Sequence, residues 1–228
     1  MMKIRFAPVL IGLLAFSALA SDLSTQETSL GQVYTNNKGM TLYYFDNDKA
    51  DQSNCYGDCA KAWPPLLVTE ESSQIPGLAK IERKDGKLQW ALNHRPLYLW
   101  HKDQKPGDIT GAGVKNIWSL ARADKVPVKV YSTESGNILT NKDNMSLYTF
   151  SKDSNGVSVC YEDCATHWPP LAAQKNDTAS GAFSVLTRKD GTYQWAYQGS
   201  PLYTWVKDKQ PGDITGDKVK NIWHLVHL

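Results

Sequence analysis

The sequence predicts an all-β fold of two homologous halves, built from four hairpin-containing quarter-units, with a short helical turn at each Cys-x-x-x-Cys. Three observations predict it. A Leu-Tyr-x-(Phe/Trp)-x-x-Asp segment occurs four times, at Leu42-Tyr43-Tyr44-Phe45…Asp48, Leu97-Tyr98-Leu99-Trp100…Asp103, Leu147-Tyr148-Thr149-Phe150…Asp153 and Leu202-Tyr203-Thr204-Trp205…Asp208. The chain matches itself without a gap when residues 31–123 are laid on 136–228, with nearly half of the aligned residues identical. Asp-Gly turns, at Lys84-Asp85-Gly86 and Lys189-Asp190-Gly191, separate alternating segments in both halves.

The first twenty residues read as a secretion leader. Lys3 and Arg5 precede an apolar run from Phe6 to Phe16, too short to span a membrane comfortably, and Ala18-Leu19-Ala20 offers a cleavage site. The leader carries two cations and no anion, so the formal charge of +2 belongs to it and the mature chain is near neutral. That balance excludes a basic footprint for nucleic acid and a polybasic membrane patch. No membrane span is expected once the leader is removed. No cysteine precedes Cys55, so a lipid-modified N-terminus is not expected either.

After the leader come an N-terminal segment (21–30), the first repeat unit (31–123), a connecting segment (124–135) and the second repeat unit (136–228). Read as strands, the Leu-Tyr segments put Tyr43 and Phe45 on one face and Tyr44 on the other. Tyrosine and the second aromatic persist across the copies while the residue between them drifts, which predicts strands packed on one side only. The closing aspartate is expected to stop the strand by bonding nearby backbone N–H groups. A fainter repeat at an offset of 55 brings Asp48 onto Asp103 and Trp63 onto Trp118, hence four quarters rather than two halves. Units of about fifty residues suit propeller blades, which close sheet edges, or tandem β domains; the propeller is slightly favoured. Asp58 to Trp63 and Asp163 to Trp168 read as helical turns capped by aspartate and stopped by Pro-Pro. The alternating run from Val126 to Tyr131 predicts a strand between the halves, which then pack together.

All four cysteines fall in two equivalent pairs, Cys55/Cys59 and Cys160/Cys164. In an exported chain a local disulfide in each half is the expected state, since a spacing of four on a helical turn brings the Cα atoms to about 6 Å. The alternatives are a metal or haem site and a redox-active pair, because soft thiolates bind such centres. Against a metal site, the histidines His94, His101, His167, His224 and His227 have no partners in the other half. Trp63 and Trp168, each in a Trp-Pro-Pro-Leu stretch, are candidate ligand-binding residues: a stiff edge segment can hold an indole out as a stacking shelf for sugar or peptide. Core packing is the competing use. The acidic stretch Asp46 to Asp51 lacks the glycine and distal glutamate of an EF-hand. No catalytic residue set, nucleophile elbow, zinc-protease motif or phosphate loop is present.

Together the Tyr-x-(Phe/Trp)-x-x-Asp segments, the Cys-x-x-x-Cys-Ala-x-x-Trp-Pro-Pro-Leu stretches and the Lys-Asp-x-x-Pro-Gly-Asp loops resemble a bacterial family of secreted or lipid-anchored repeat proteins. The resemblance covers nearly all of the mature chain. It implies an exported envelope protein and carries no established activity. Unlike lipoprotein members, this chain has no cysteine after its leader, which points to a free periplasmic or secreted form. The functional expectation is a non-catalytic envelope protein, without a cofactor, that binds a ligand or an envelope partner through its loops. The alternatives are a metal-binding or electron-transfer protein centred on the cysteine pairs, and a glycan- or peptidoglycan-binding module.

Overall fold

A computed structural model describes residues 23–70, 72 and 74–228; the leader expected at 1–20 lies outside the described residues. The first half runs β1 (Leu23–Thr28), β2 (Gly31–Asn36), β3 (Tyr43–Phe45), helix α1 (Asp58–Ala62), β4 (Leu67–Val68), β5 (Leu78–Glu82), β6 (Leu88–Leu92), β7 (Arg95–Pro96) and β8 (Trp118–Leu120). The second repeats that order as β9 (Val128–Thr133), β10 (Gly136–Asn141), β11 (Tyr148–Phe150), α2 (Asp163–His167), β12 (Ala172–Ala173), β13 (Phe183–Thr187), β14 (Tyr193–Tyr197), β15 (Ser200–Pro201) and β16 (Trp223–Leu225).

Turn chemistry sets the hairpins. Gly86, at φ +75°, lets the chain reverse between β5 and β6. Asn93 and His94 both take positive φ, which gives the tight twist-matched connection of β6 to β7. β1 lies in the N-terminal segment and hairpins onto β2, and β9 in the connecting segment hairpins onto β10.

The quarters of each half are knitted together. β3 pairs antiparallel with β8, and β4 lies against β6, so each quarter completes the other's sheets. At the centre Tyr43 and Tyr98 exchange both backbone hydrogen bonds, at 2.8 and 3.0 Å. Tyr148 and Tyr203 do the same at 2.8 and 2.9 Å. This directly opposed pair lies on a pseudo-two-fold axis relating the two quarters, the structural counterpart of the fainter repeat.

Three expectations are corrected. The quarters are not propeller blades: the six sheets among the described residues have two or four strands and none closes, because strands pair with the sister quarter. The Leu-Tyr segments are not packed on one side only, and those at Tyr98 and Tyr203 form isolated bridges rather than strands. Leu42 and Tyr43 are both fully buried, and Tyr44 is buried at 8% exposure beneath the Arg95 guanidinium, 4.0 Å from its ring. Asp58 does not cap its helix; that position belongs to Gly57, and Asp58 instead meets Lys61 at the surface.

The halves pack on each other. Gln32 N–H donates to Asp124 Oδ2 at 2.6 Å and to Ser180 Oγ at 2.8 Å, and Ser180 Oγ donates to the same carboxylate oxygen at 2.6 Å. The Glu27 carboxylate accepts from the Gly181 N–H. Asn116 and Ser132 exchange two bonds, at 2.7 and 3.0 Å, closing β9 onto the first half. One apolar cluster runs from Tyr43 and Trp63 through Leu30, Val126 and Val128 to Leu139, Phe183 and Trp195, so the core is shared.

Candidate functional site

Both cysteine pairs are disulfides, Cys55–Cys59 and Cys160–Cys164, each with Cα atoms 5.3 Å apart. Each bridge pins the first turn of the helix that delivers Trp63 or Trp168. A bridged pair has no thiolate to offer a metal. Among the described residues no group of three or more His, Cys, Asp or Glu converges on a common point. All five histidines are exposed, and His94 pairs with Asp51 at 2.6 Å.

Trp63 and Trp168 are not an exposed shelf. Each is 4% exposed and forms the middle of a column of stacked rings. In the first half Phe45, Trp118, Trp63 and Trp100 follow one another at centroid separations of 4.5, 3.8 and 4.0 Å. In the second, Phe150, Trp223, Trp168 and Trp205 do so at 4.2, 3.8 and 4.0 Å. Pro64 and Pro65 pair with the backbone at Tyr98–Leu99, and the indole before them turns inward, because burying so large a ring outweighs exposing it. Gly111 and Gly216 supply the room: a Cβ at Gly111 would stand 2.8 Å from Trp63 Cη2 and 2.9 Å from Tyr43 Cε1.

The column is flanked by tyrosine–aspartate pairs. Tyr43 lies edge-on to Trp63 at 5.4 Å, and Tyr98 edge-on to Trp118 at 5.3 Å. The Tyr43 hydroxyl donates to Asp103 at 2.5 Å and the Tyr98 hydroxyl to Asp48 at 2.7 Å. Tyr148 donates to Asp208 and Tyr203 to Asp153, both at 2.7 Å. Each motif aspartate therefore receives the tyrosine of the other copy, besides the local N–H groups expected of it: Asn54 N–H for Asp48 and Thr110 N–H for Asp103. Burial pushes the phenols of all four tyrosines well above their usual range, with the neighbouring carboxylate adding to the effect. Burial also raises the carboxyls of Asp48, Asp103 and Asp153, partly countered by the hydrogen bonds they accept.

Sequence reasoning missed a buried cation beside these pairs. Arg83 is 3% exposed; its guanidinium donates to Ser53 Oγ at 2.8 Å, Gln89 Oε1 at 2.6 Å and the Cys55 carbonyl at 2.9 Å. Ser53 Oγ lies 2.9 Å from the Tyr98 hydroxyl, so the cation reaches Asp48 through two hydroxyls. Arg188, Ser158, Gln194 and Tyr203 repeat this arrangement. The signal was available: Arg83, Ser53 and Gln89 recur as Arg188, Ser158 and Gln194, and the serine does so within a stretch that otherwise drifts.

A cavity of about 250 Å³ opens where the halves meet. Its wall is apolar, built from Leu30, Leu120, Val126, Val128, Val130 and Leu139. Its polar margin carries Arg95, Arg122, Lys129 and Lys142 and no acidic residue. Arg122 is engaged by Asp124 at 2.8 Å and Arg95 by Asp46 at 2.7 Å, both carboxylates lying outside the lining. None of the residues singled out from the sequence as ligand-binding reaches this cavity, because it is made only when the two halves and β9 come together.

A family model described as a secreted repeat of unknown function matches the chain four times, over residues 24–67, 79–122, 129–172 and 184–227. These matches cover more than half of the chain and follow the four quarters. No curated protein and no solved structure matches it. Among the described residues no helix is long and apolar enough to cross a membrane.

Proposed function

From the premise that this chain belongs to a secreted repeat family of unknown function, we propose that it is a non-catalytic binding protein of the cell envelope, periplasmic or released. Its ligand is a small molecule with an apolar body and an acidic group, held in the cavity where the halves meet. The observation that carries this reading is that Lys129 and Lys142 line an apolar wall with no carboxylate paired to either among the described residues, the other two cations there, Arg95 and Arg122, being held by Asp46 and Asp124. A volume of about 250 Å³ lies just under the roughly 300–1,000 Å³ of most ligand pockets, which suits a compact ligand. An apolar body would gain from leaving water, and an acidic group would pair with Lys129 or Lys142 at the margin.

The same geometry weakens the rival readings. A centre built on the cysteine pairs would need thiolates, and these sulfurs are bonded to each other. Sugar stacking on Trp63 or Trp168 would need a free indole face, and both faces of each are covered by neighbouring rings.

The test is thermal unfolding of the mature protein with octanoate, phenylacetate and their uncharged amides. The acids should raise the melting temperature in proportion to the logarithm of their concentration, as for a ligand bound only by the folded state. The amides should not. Lys129→Ala with Lys142→Ala should abolish the shift. Equal shifts from acids and amides, or none from any, would sink the proposal.

A further inference from the structure

We infer that each ring column relays single electrons, passing an oxidising equivalent from its half-exposed outer tryptophan to a buried tyrosine that is paired with a carboxylate. Tryptophan and tyrosine are the protein side chains that most readily lose one electron, and phenylalanine resists doing so. The active part of the first column is therefore Trp100, Trp63 and Trp118, with Phe45 as a terminal cap. Trp100 is half-buried and reaches the surface, whereas Trp63 and Trp118 are each 4% exposed.

Three features go beyond what core packing requires. First, neutral aromatic rings prefer offset or edge-on contacts with centroids about 4.5–7 Å apart, because their quadrupoles repel face to face. Trp63 and Trp118 instead lie 3.8 Å apart with planes 3° from parallel, and Trp168 and Trp223 3.8 Å apart at 4°. Face-to-face overlap of that kind favours sharing a positive hole. Second, the charges are graded along the column. Lys102 Nζ lies 5.8 Å from the Trp100 ring and Lys207 Nζ 5.6 Å from Trp205, which disfavours a hole at the outer ring. Carboxylates stand beside the tyrosines that flank the inner rings, which draws the hole inward. Third, each flanking tyrosine donates its proton to a carboxylate, a ready acceptor for the proton that a tyrosine must shed on oxidation.

The steps balance as follows. A one-electron oxidant of the peroxyl-radical class takes an electron from Trp100, leaving an indole radical cation and the peroxide anion. Trp63 refills Trp100, and Tyr43 refills Trp63 while its phenolic proton moves to the Asp103 carboxylate. The sum is one oxidant reduced, one neutral tyrosyl radical and one protonated Asp103. A one-electron donor of the thiol or ascorbate class, reacting at Trp100, returns an electron through Trp63 to the tyrosyl radical while Asp103 gives the proton back, and is itself left as a thiyl or ascorbyl radical. The second half does the same through Trp205, Trp168, Tyr148 and Asp208. This inference rests on the columns and stands or falls apart from the cavity.

Flash-generated ruthenium(III) tris-bipyridine is the oxidant for the test, applied to the mature protein and followed by transient absorption and freeze-quench paramagnetic resonance. The wild type should show a tryptophan radical cation that decays into a tyrosyl radical, at least twofold more slowly in heavy water. Trp100→Phe with Trp205→Phe, changed at the half-exposed ends where packing demands least, should slow tyrosyl formation at least tenfold. A tyrosyl radical formed at the wild-type rate in that variant, or with no isotope effect in the wild type, would overturn the relay. So would a wild-type radical that never leaves tryptophan. The isotope measurement needs no variant and decides the matter even if the double substitution misfolds.

Discussion

The Tyr43 hydroxyl donates to Asp103 Oδ2 at 2.5 Å across the pseudo-two-fold axis, tying the tyrosine of one Leu-Tyr segment to the aspartate of the next. Its mate, Tyr98 to Asp48, closes the exchange. The motif's tyrosine and aspartate are thus constrained together in each quarter without touching each other, since each serves the sister copy. Tyr43→Phe should cost about 1–3 kcal/mol, because Asp103 stays buried with one acceptor site emptied. A double-mutant cycle with Asp103→Asn, read by urea unfolding, should give a coupling of about 0.5–3 kcal/mol. The equivalent cycle on Tyr148 and Asp208 should agree with it, whereas Tyr43 with Asp48 should show markedly weaker coupling.

The four buried phenols make the protein sensitive to alkali. Tyr43, Tyr98, Tyr148 and Tyr203 all have folded-state pKa values raised by burial. Above pH about 10 the unfolded chain releases these protons and the folded chain holds them, so the stability they contribute below that pH is lost as pH rises. Each tyrosine should lower the unfolding free energy by about 1.4 kcal/mol per pH unit, and the four together by about 5. Unfolding free energies measured from pH 9 to 12 should steepen through about pH 10 and approach this slope above it, lessened by about one quarter in Tyr43→Phe. Phenolate absorbance from these four should appear only with unfolding.

The disulfides close very short loops, so their effect on the unfolded chain is small: about 2 kcal/mol each in the chain-entropy model. Reduction should nevertheless reach the core, because Cys55 and Cys160 are fully buried and their carbonyls hold the guanidiniums of Arg83 and Arg188. Treatment with reductant should expose four thiols and lower the melting temperature. Cys55→Ser with Cys59→Ser should account for about half of that loss, the second bridge for the remainder.

How far the sequence announces this structure depends on whether a feature is local. Asp-Gly at 85–86 and Asn93-His94 declare their turns because backbone preference alone decides them. The strands at Tyr43 and Tyr148 declare themselves through aromatic alternation, whereas the same pattern at Tyr98 and Tyr203 yields only isolated bridges, and the disulfides declare themselves through spacing in an exported chain. What stays hidden is which quarter supplies the partner. Nothing near Asp48 points to a phenol fifty residues on, and nothing near Trp63 shows that Trp118 and Trp100 will cover both faces of its indole. Arg83 looks like the polar start of a turn, yet tertiary packing buries it under Tyr56, with its guanidinium carbon 4.5 Å from that ring. The inter-half cavity is hidden for the same reason, its lining being drawn from both halves and from the strand between them.

Gly111 and Gly216 are the residues on which the columns close most tightly. Neither has a positive φ, so glycine is required there for space and not for backbone freedom. A Cβ at Gly216 would stand 2.8 Å from Tyr148 Cζ and 2.9 Å from Trp168 Cη2. Neither atom can yield cheaply: Tyr148 is held by Asp208, and Trp168 lies between Trp205 and Trp223. Gly216→Ala should therefore cost about 1–3 kcal/mol of overpacking, and Gly111→Ala a similar amount. Since one kcal/mol moves the midpoint of a protein this size by about 2–4 °C, scanning calorimetry resolves it. The near-ultraviolet circular dichroism of the stacked indoles should change in both variants. An unchanged indole spectrum at normal stability would mean that the column closes less tightly than 2.8 Å implies.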